Sequence, residues 1–111
     1  MPHRTYQSLT FTAQSQGRIL DIDFPLHALT GDAGNVGAML EDVMAALSAR
    51  IEADGNDVKD GDVLQALTMA LAIRMHMVKA PPAAVRQLVA EALEWADDAV
   101  EEAGQRPVGR A

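Results

Sequence analysis

The side chains best suited to metal binding or proton transfer are three histidines, and they are widely separated in the chain. His3 lies near the N-terminus, His27 in a loop, and His76 near the end of an apolar segment. A zinc site or a catalytic triad needs ligands that converge, as in the HExxH pattern, and no such spacing occurs here. Cysteine is absent, which excludes thiolate ligands and a cysteine nucleophile. We therefore predict no catalytic residues, no metal site and no cofactor.

Serine and glycine patterns do not supply an active site either. Ser8, Ser15 and Ser48 lack the strand-turn-helix context of a nucleophile elbow. The segment GDAGNVG (31–37) precedes a predicted helix, whose amides could bind an anion, but no lysine follows to hold a phosphate. The segment DGNDVKDGD (54–62) is rich in oxygen ligands, but its glycine and acidic positions do not match an EF-hand loop. The sequence predicts a protein that is not an enzyme.

Charge and hydropathy limit the possible partners. The chain has 111 residues, with 16 acidic and 9 basic side chains and a net charge of −7. Such a surface repels a phosphate backbone, and the 4% aromatic content leaves no base-stacking platform. No apolar run reaches the ~18 residues of a membrane span, and the N-terminus lacks the apolar segment of a signal peptide. These features predict a cytoplasmic protein that binds neither nucleic acid nor membrane.

Residues 9–24 alternate between apolar and polar side chains on both sides of QSQG (14–17). A period of two residues is typical of strands with one buried face, so this region predicts a β-hairpin. We place Ser15 and Gln16 at the turn. The resulting register pairs Phe11 with Leu20, Leu9 with Ile22 and Thr10 with Asp21.

Three helices are predicted after the hairpin, from apolar side chains at helical spacing and from capping residues. Their predicted limits are Asp32 or Asn35 to Gly55, residues 63–78, and Pro82 to Gly104. The sequence thus predicts an α+β fold that is mostly α, with an N-terminal β-hairpin followed by three helices. The predicted single domain spans residues 6–104, with flexible tails at residues 1–5 and 105–111. The alternative is an all-α fold with a disordered N-terminal arm.

The second predicted helix, VLQALTMALAIRMHMV, is apolar nearly all round, which is more surface than one neighbouring helix can cover. Arg74 falls in the middle of its most apolar arc. Either the arginine stem runs along neighbouring apolar side chains with its head in water, or this face lies at a boundary with another chain. The predicted partner or dimer interface consists of Val63, Leu67, Ala70, Arg74, Met77 and Val78.

The third predicted helix has an apolar stripe on one side and an acidic arc on the other. Several of its carboxylates are four residues apart, which is mildly unfavourable, so local stability does not explain the arc. It is either a solubilising surface or a docking surface for a basic partner. The predicted acidic docking face consists of Glu91, Glu94, Asp98 and Glu101.

These patterns favour a binding protein over an enzyme. We predict a small acidic regulatory or adaptor protein, homodimeric, that occludes a surface of another protein, as an antiactivator-like inhibitor of a transcription regulator does. One alternative is a small-molecule sensor or small enzyme subunit, with a pocket near the hairpin beside His27 and Asp32. Another is a structural assembly subunit, which needs only the dimer surface.

Overall fold

The computed structural model describes residues 7–15, 17–54 and 57–107. In chain order the elements are β1 (Ser8–Ser15), β2 (Arg18–Pro25), α1 (Ala33–Asp54), α2 (Asp60–Met75), α3 (Pro82–Glu101) and β3 (Gly104–Pro107). The predicted α+β fold, a hairpin followed by three helices, is confirmed. The predicted tail at residues 1–5 lies outside the described part of the chain.

The elements belong to two compact units. The first unit contains the described residues up to Gly37 and those from Leu88 onward. The second unit is continuous, from Ala38 to Gln87, and it contains most of α1, all of α2 and the first residues of α3.

β1 and β2 form the predicted antiparallel hairpin, but the predicted register is wrong by two residues. Phe11 lies opposite Ile22 and Thr10 opposite Asp23, because the Ser15–Arg18 pair closes the hairpin. Gly17 lies in the connection with a φ of 78°, a left-handed conformation that glycine adopts without steric cost. A shift of two residues preserves the alternation of faces, so the predicted apolar and polar faces are correct.

A third strand, β3, pairs antiparallel with β2 and completes a sheet of order β1-β2-β3. The prediction of a flexible tail from residue 105 therefore does not hold for residues 105–107, and residues 108–111 lie outside the described range. Four residues are too few to show strand periodicity. What holds β3 in place is the second edge of β2, whose backbone groups need partners.

α1 and α3 begin where capping chemistry predicts. The Gly34 N–H donates to the Asp32 carboxylate at 2.7 Å, so Asp32 satisfies one of the free amides at the start of α1. α3 begins at Pro82, where the missing N–H has no cost, and it ends at Glu101, before the predicted Gly104.

α2 has 16 residues, as many as the apolar segment that predicts it, but it begins and ends three residues earlier. It begins at Asp60, and the Lys59 N–H donates to the Asp62 carboxylate at 3.0 Å. It ends at Met75, where the Met77 N–H bonds to the Arg74 carbonyl at 3.0 Å and the chain tightens into turns. The predicted helix through residue 78 is therefore wrong, and a helical projection does not give the directions of Met77 and Val78.

Each unit has a small core. In the first unit Ile22, Leu26 and Ala99 are buried, and in the second Val85 is buried. No residue of α1 or α2 is buried. Across the described residues, no helix has both the length and the apolarity needed to cross a membrane.

Candidate functional site

The most exposed apolar surface of the second unit is on α2. Five of its large apolar side chains retain from 38% to 65% of their accessible surface. The residues concerned are Leu64, Leu67, Met69, Leu71 and Ile73. Extensive exposed apolar surface on a soluble protein often marks a site that binds another molecule.

Two of these residues show that the exposure is not limited to one side of α2. Leu64 and Ile73 are nine positions apart, which places them about 180° apart around a helix of 3.6 residues per turn. Their exposed fractions are nevertheless similar, 65% and 63%. α2 therefore presents apolar side chains to solvent in opposite directions.

The predicted interface residues are mostly exposed. Val63 is half-buried, and the other five residues, Leu67, Ala70, Arg74, Met77 and Val78, are exposed. The Arg74 Nη1 lies 3.5 Å from the Met77 Sδ, so the guanidinium lies against an apolar side chain with its remaining donors accessible. This is the first of the two placements considered for Arg74, and it leaves the guanidinium available to a carboxylate of another chain.

The energy available from covering this surface is substantial. Fully burying a Leu, Ile, Val or Met side chain stabilises by about 1.5–3 kcal/mol, so covering the exposed half contributes roughly 1 kcal/mol. The five α2 residues together with Met77 and Val78, which we call the α2 surface, would contribute about 7 kcal/mol. Association costs an estimated 4–15 kcal/mol, which is of the same order, so a stable complex also requires contacts to Arg74 or α1.

On α3, the predicted acidic docking face divides into two parts. The Glu91 Oε1 lies 2.9 Å from the His27 Nε2, and Glu91 is half-buried. Glu94, Asp98 and Glu101 are exposed. Glu91 therefore contacts the protein's own loop, whereas the other three carboxylates face solvent.

His27 connects the loop after β2 to α3. Its Nδ1 accepts a hydrogen bond from the Leu29 N–H at 3.2 Å, so in the neutral ring the proton is on Nε2, which donates to Glu91. The ring also stacks on Trp95, with centroids 5.4 Å apart and planes inclined by 29°. The isolated loop histidine is a packing residue, which its sequence position alone does not reveal.

A cavity of about 550 Å³ lies between the hairpin and α3. Among the described residues, its lining contains one aromatic ring, Trp95, and three carboxylates but no basic side chain. The lining residues are Gln7, Ser8, Asp23, Pro25, Trp95, Asp98, Ala99 and Glu102. His27 and Asp32, beside which a pocket was expected, do not line it.

No similar protein helps to interpret these surfaces. No family model, curated protein or solved structure matches the chain. Within the part of the chain that the structure describes, no three His, Cys, Asp or Glu side chains converge as metal ligands would. The function must be argued from the α2 surface, the acidic residues of α3 and the cavity.

The sequence-based interface did not include the most exposed residues of α2. Leu64 and Ile73 lie outside the arc centred on Arg74, and only their exposure shows that they belong to the surface. The feature of the sequence that could have identified these two residues is the apolar character of α2 on all sides. A helix of that kind is covered either by its own chain or by another.

Proposed function

We propose that this protein is a small acidic regulatory or adaptor protein that binds another protein through the α2 surface and occludes the surface that it covers. The observation that carries the proposal is the exposure of Leu64 and Ile73 on opposite sides of a helix with no buried residue. A helix in this state is stabilised when a partner covers it. A regulatory protein acts in this way when the covered surface of its target is needed elsewhere, as with an inhibitor of a transcription regulator.

The chemistry of the α2 surface indicates what kind of target it fits. Leucine, isoleucine and methionine provide an adaptable apolar area, and Arg74 adds one cation near the end of the helix. The complementary surface is an apolar groove or helix face with a carboxylate at its rim, which would pair with Arg74. Net charge disfavours a strongly acidic target, because this chain itself carries −7.

Substitutions on α2 test this proposal. Immobilised wild-type protein is expected to retain a specific protein from extract of its source cells, identified by mass spectrometry. The same protein, once purified, should bind Leu64→Asp or Ile73→Asp at least tenfold more weakly, because each carboxylate would be desolvated in the interface.

Gln65→Asp is the matched control, since it adds the same charge to an exposed polar position of the same helix. Its affinity for the target should stay within about twofold of the wild type, the effect of a surface change. Equal loss in Gln65→Asp and Leu64→Asp would show that charge alone explains the effect. No loss in any variant would refute the α2 surface as the target site.

The exposed part of the acidic docking face has its own test. Reversing Glu94, Asp98 and Glu101 to lysine should leave target binding through α2 intact at physiological ionic strength. If binding is lost and the wild-type complex is also weakened by salt, the target site lies on α3 and its partner is basic.

The cavity favours a second candidate function, a sensor for a small organic cation. Trp95 provides a ring face for cation–π contact, and Asp23, Asp98 and Glu102 provide negative charge. Since Trp95 is the only tryptophan, all of the tryptophan fluorescence comes from a residue that lines this cavity. Tetraethylammonium should change that fluorescence saturably, and less so in Asp98→Asn; a linear response in both proteins would eliminate the sensor.

A further inference from the structure

The outer edge of β1 lacks the features that usually prevent one strand edge from pairing with another. Natural edge strands are short, charged, interrupted by proline or a bulge, or covered by another element. β1 is eight residues long, contains neither charge nor proline, and pairs with β2 in continuous register without a bulge. Among the described elements, only β2 runs alongside it.

The opposite edge of the same sheet is protected. β3 is four residues long, contains an arginine and ends in Pro107, which has no N–H to donate. The contrast between the two edges of one sheet indicates that β1 is the edge available for pairing.

The positions of the hydrogen-bonded residue pairs in the hairpin show which backbone groups of β1 face its outer edge. The Leu26 N–H donates to the Gln7 carbonyl at 2.8 Å, so Gln7 and Leu26 continue the ladder as a hydrogen-bonded pair. Because such pairs alternate in an antiparallel ladder, the odd-numbered residues of β1 bond to β2. The N–H and C=O groups of the even-numbered residues therefore point away from β2, at Ser8, Thr10, Thr12 and Gln14.

We propose that a second copy of this chain pairs antiparallel with β1 through its own β1, which joins the two sheets into one of six strands. Opposed residues in an antiparallel pair point to the same face, and here the outward groups belong to even-numbered residues. Both conditions are met when even-numbered residues lie opposite even-numbered residues. A two-fold axis at Phe11 achieves this and pairs all four of the outward-facing residues. Thr10 then faces Thr12 of the second copy, and the two Phe11 rings meet.

Two properties of β1 make the second copy the fitting occupant. Leu9, Phe11 and Ala13 are half-buried, so joining the apolar faces of two identical strands covers area that one hairpin leaves open. The nearest carboxylates, Asp21 and Asp23, would be about three strand spacings, or roughly 14 Å, from those of the other copy. That separation exceeds the Debye length of about 8 Å at physiological salt, so their repulsion is largely screened.

This interface lies in the first unit and does not depend on target binding through α2. Thr12→Pro removes one outward N–H and leaves the β1–β2 hydrogen bonds intact. Thr12→Ala is its matched control, because both variants lose the 3.2 Å bond from the Thr12 hydroxyl to Asp21, while alanine keeps the N–H. By light scattering at about 50 μM, we expect wild type and Thr12→Ala to be dimers and Thr12→Pro to be a monomer or at least tenfold weaker.

A measurement on the wild type covers the case in which Thr12→Pro does not fold. The amide protons of Thr10, Thr12 and Gln14 should exchange slowly with solvent in the dimer and at least tenfold faster after dilution to monomer. A wild type that stays monomeric at 50 μM, a Thr12→Pro dimer of unchanged affinity, or fast exchange at these amides in a dimer would each overturn the proposal. Loss of α2 target binding with an unchanged dimer would instead affect only the proposed function.

Discussion

At the residue scale, His27 contributes more to the first unit than its position in a loop suggests. Its side chain is only 15% exposed, and both ring nitrogens are bonded while one ring face lies against Trp95. A neutral imidazole can satisfy this arrangement without a desolvated charge, because one nitrogen donates and the other accepts. Alanine at this position would leave partners unsatisfied and remove the aromatic contact.

We expect His27→Ala to lower the free energy of unfolding by about 1–3 kcal/mol, because the part-buried hydrogen bond to Glu91 and the ring packing on Trp95 are both lost. Urea unfolding followed by Trp95 fluorescence measures this directly, since Trp95 contacts the substituted side chain. His76→Ala is the control, because His76 is exposed, and its effect should stay within about 0.5 kcal/mol. Equal losses in the two variants would contradict the assigned role of His27.

A second residue-scale prediction compares two helical glycines. Alanine is about 0.5–1 kcal/mol more favourable than glycine within a helix, and a Cβ at Gly61 would meet no atom within 4 Å. A Cβ at Gly37 would lie 3.0 Å from the Leu9 Cδ1, so Leu9 would have to move. Gly61→Ala should therefore raise the thermal unfolding midpoint, and Gly37→Ala should raise it less or lower it. A larger gain at Gly37 would contradict the close approach of Leu9 to this position.

At the scale of elements, the sequence predicts what local chemistry determines. The Asp32 cap and Pro82 locate the starts of α1 and α3, and strict alternation assigns the two faces of the hairpin. Alternation does not locate the turn, because two registers that differ by two residues place the same side chains on the same faces. The positive φ of Gly17 distinguishes between these two registers. β3 and the cavity were missed because each requires segments distant in sequence to meet.

The conformation of Gly17 leads to an element-scale prediction. A φ of 78° is strained for any residue with a Cβ, and a Cβ at Gly17 would meet no atom within 4 Å, so the cost of substitution is purely conformational. Gly17→Ala should lower stability by about 1–2 kcal/mol, and Gly17→Asn by less, because asparagine tolerates this region better. Chemical denaturation measures both, and equal losses would mean that this conformation does not control the hairpin.

At the scale of the whole molecule, net charge opposes self-association. Each copy carries −7, and no charged side chain lies in the strand that pairs in the proposed dimer. Added salt should therefore strengthen the dimer by screening repulsion between the copies. A dimer through Arg74 and a partner carboxylate would respond in the opposite direction.

We expect the dimer dissociation constant to fall severalfold between about 0.05 M and 0.5 M sodium chloride, over which the Debye length shortens from roughly 14 Å to 4 Å. Sedimentation equilibrium at several protein concentrations provides the measurement. A dissociation constant that rises with salt would place the dimer interface on ion pairs and not on β1.

Because β2 is the central strand of the sheet, one of its edges stays unpaired during synthesis until β3 has been made. β1 precedes β2 directly, but β3 is made last, and Pro107 is the partner of Arg18. At roughly 5–20 residues per second, a ribosome needs about 4–16 s to proceed from Pro25 to Pro107. Until then both edges of the nascent hairpin are open, so a neighbouring chain on the same polysome has a period in which it could pair with either edge.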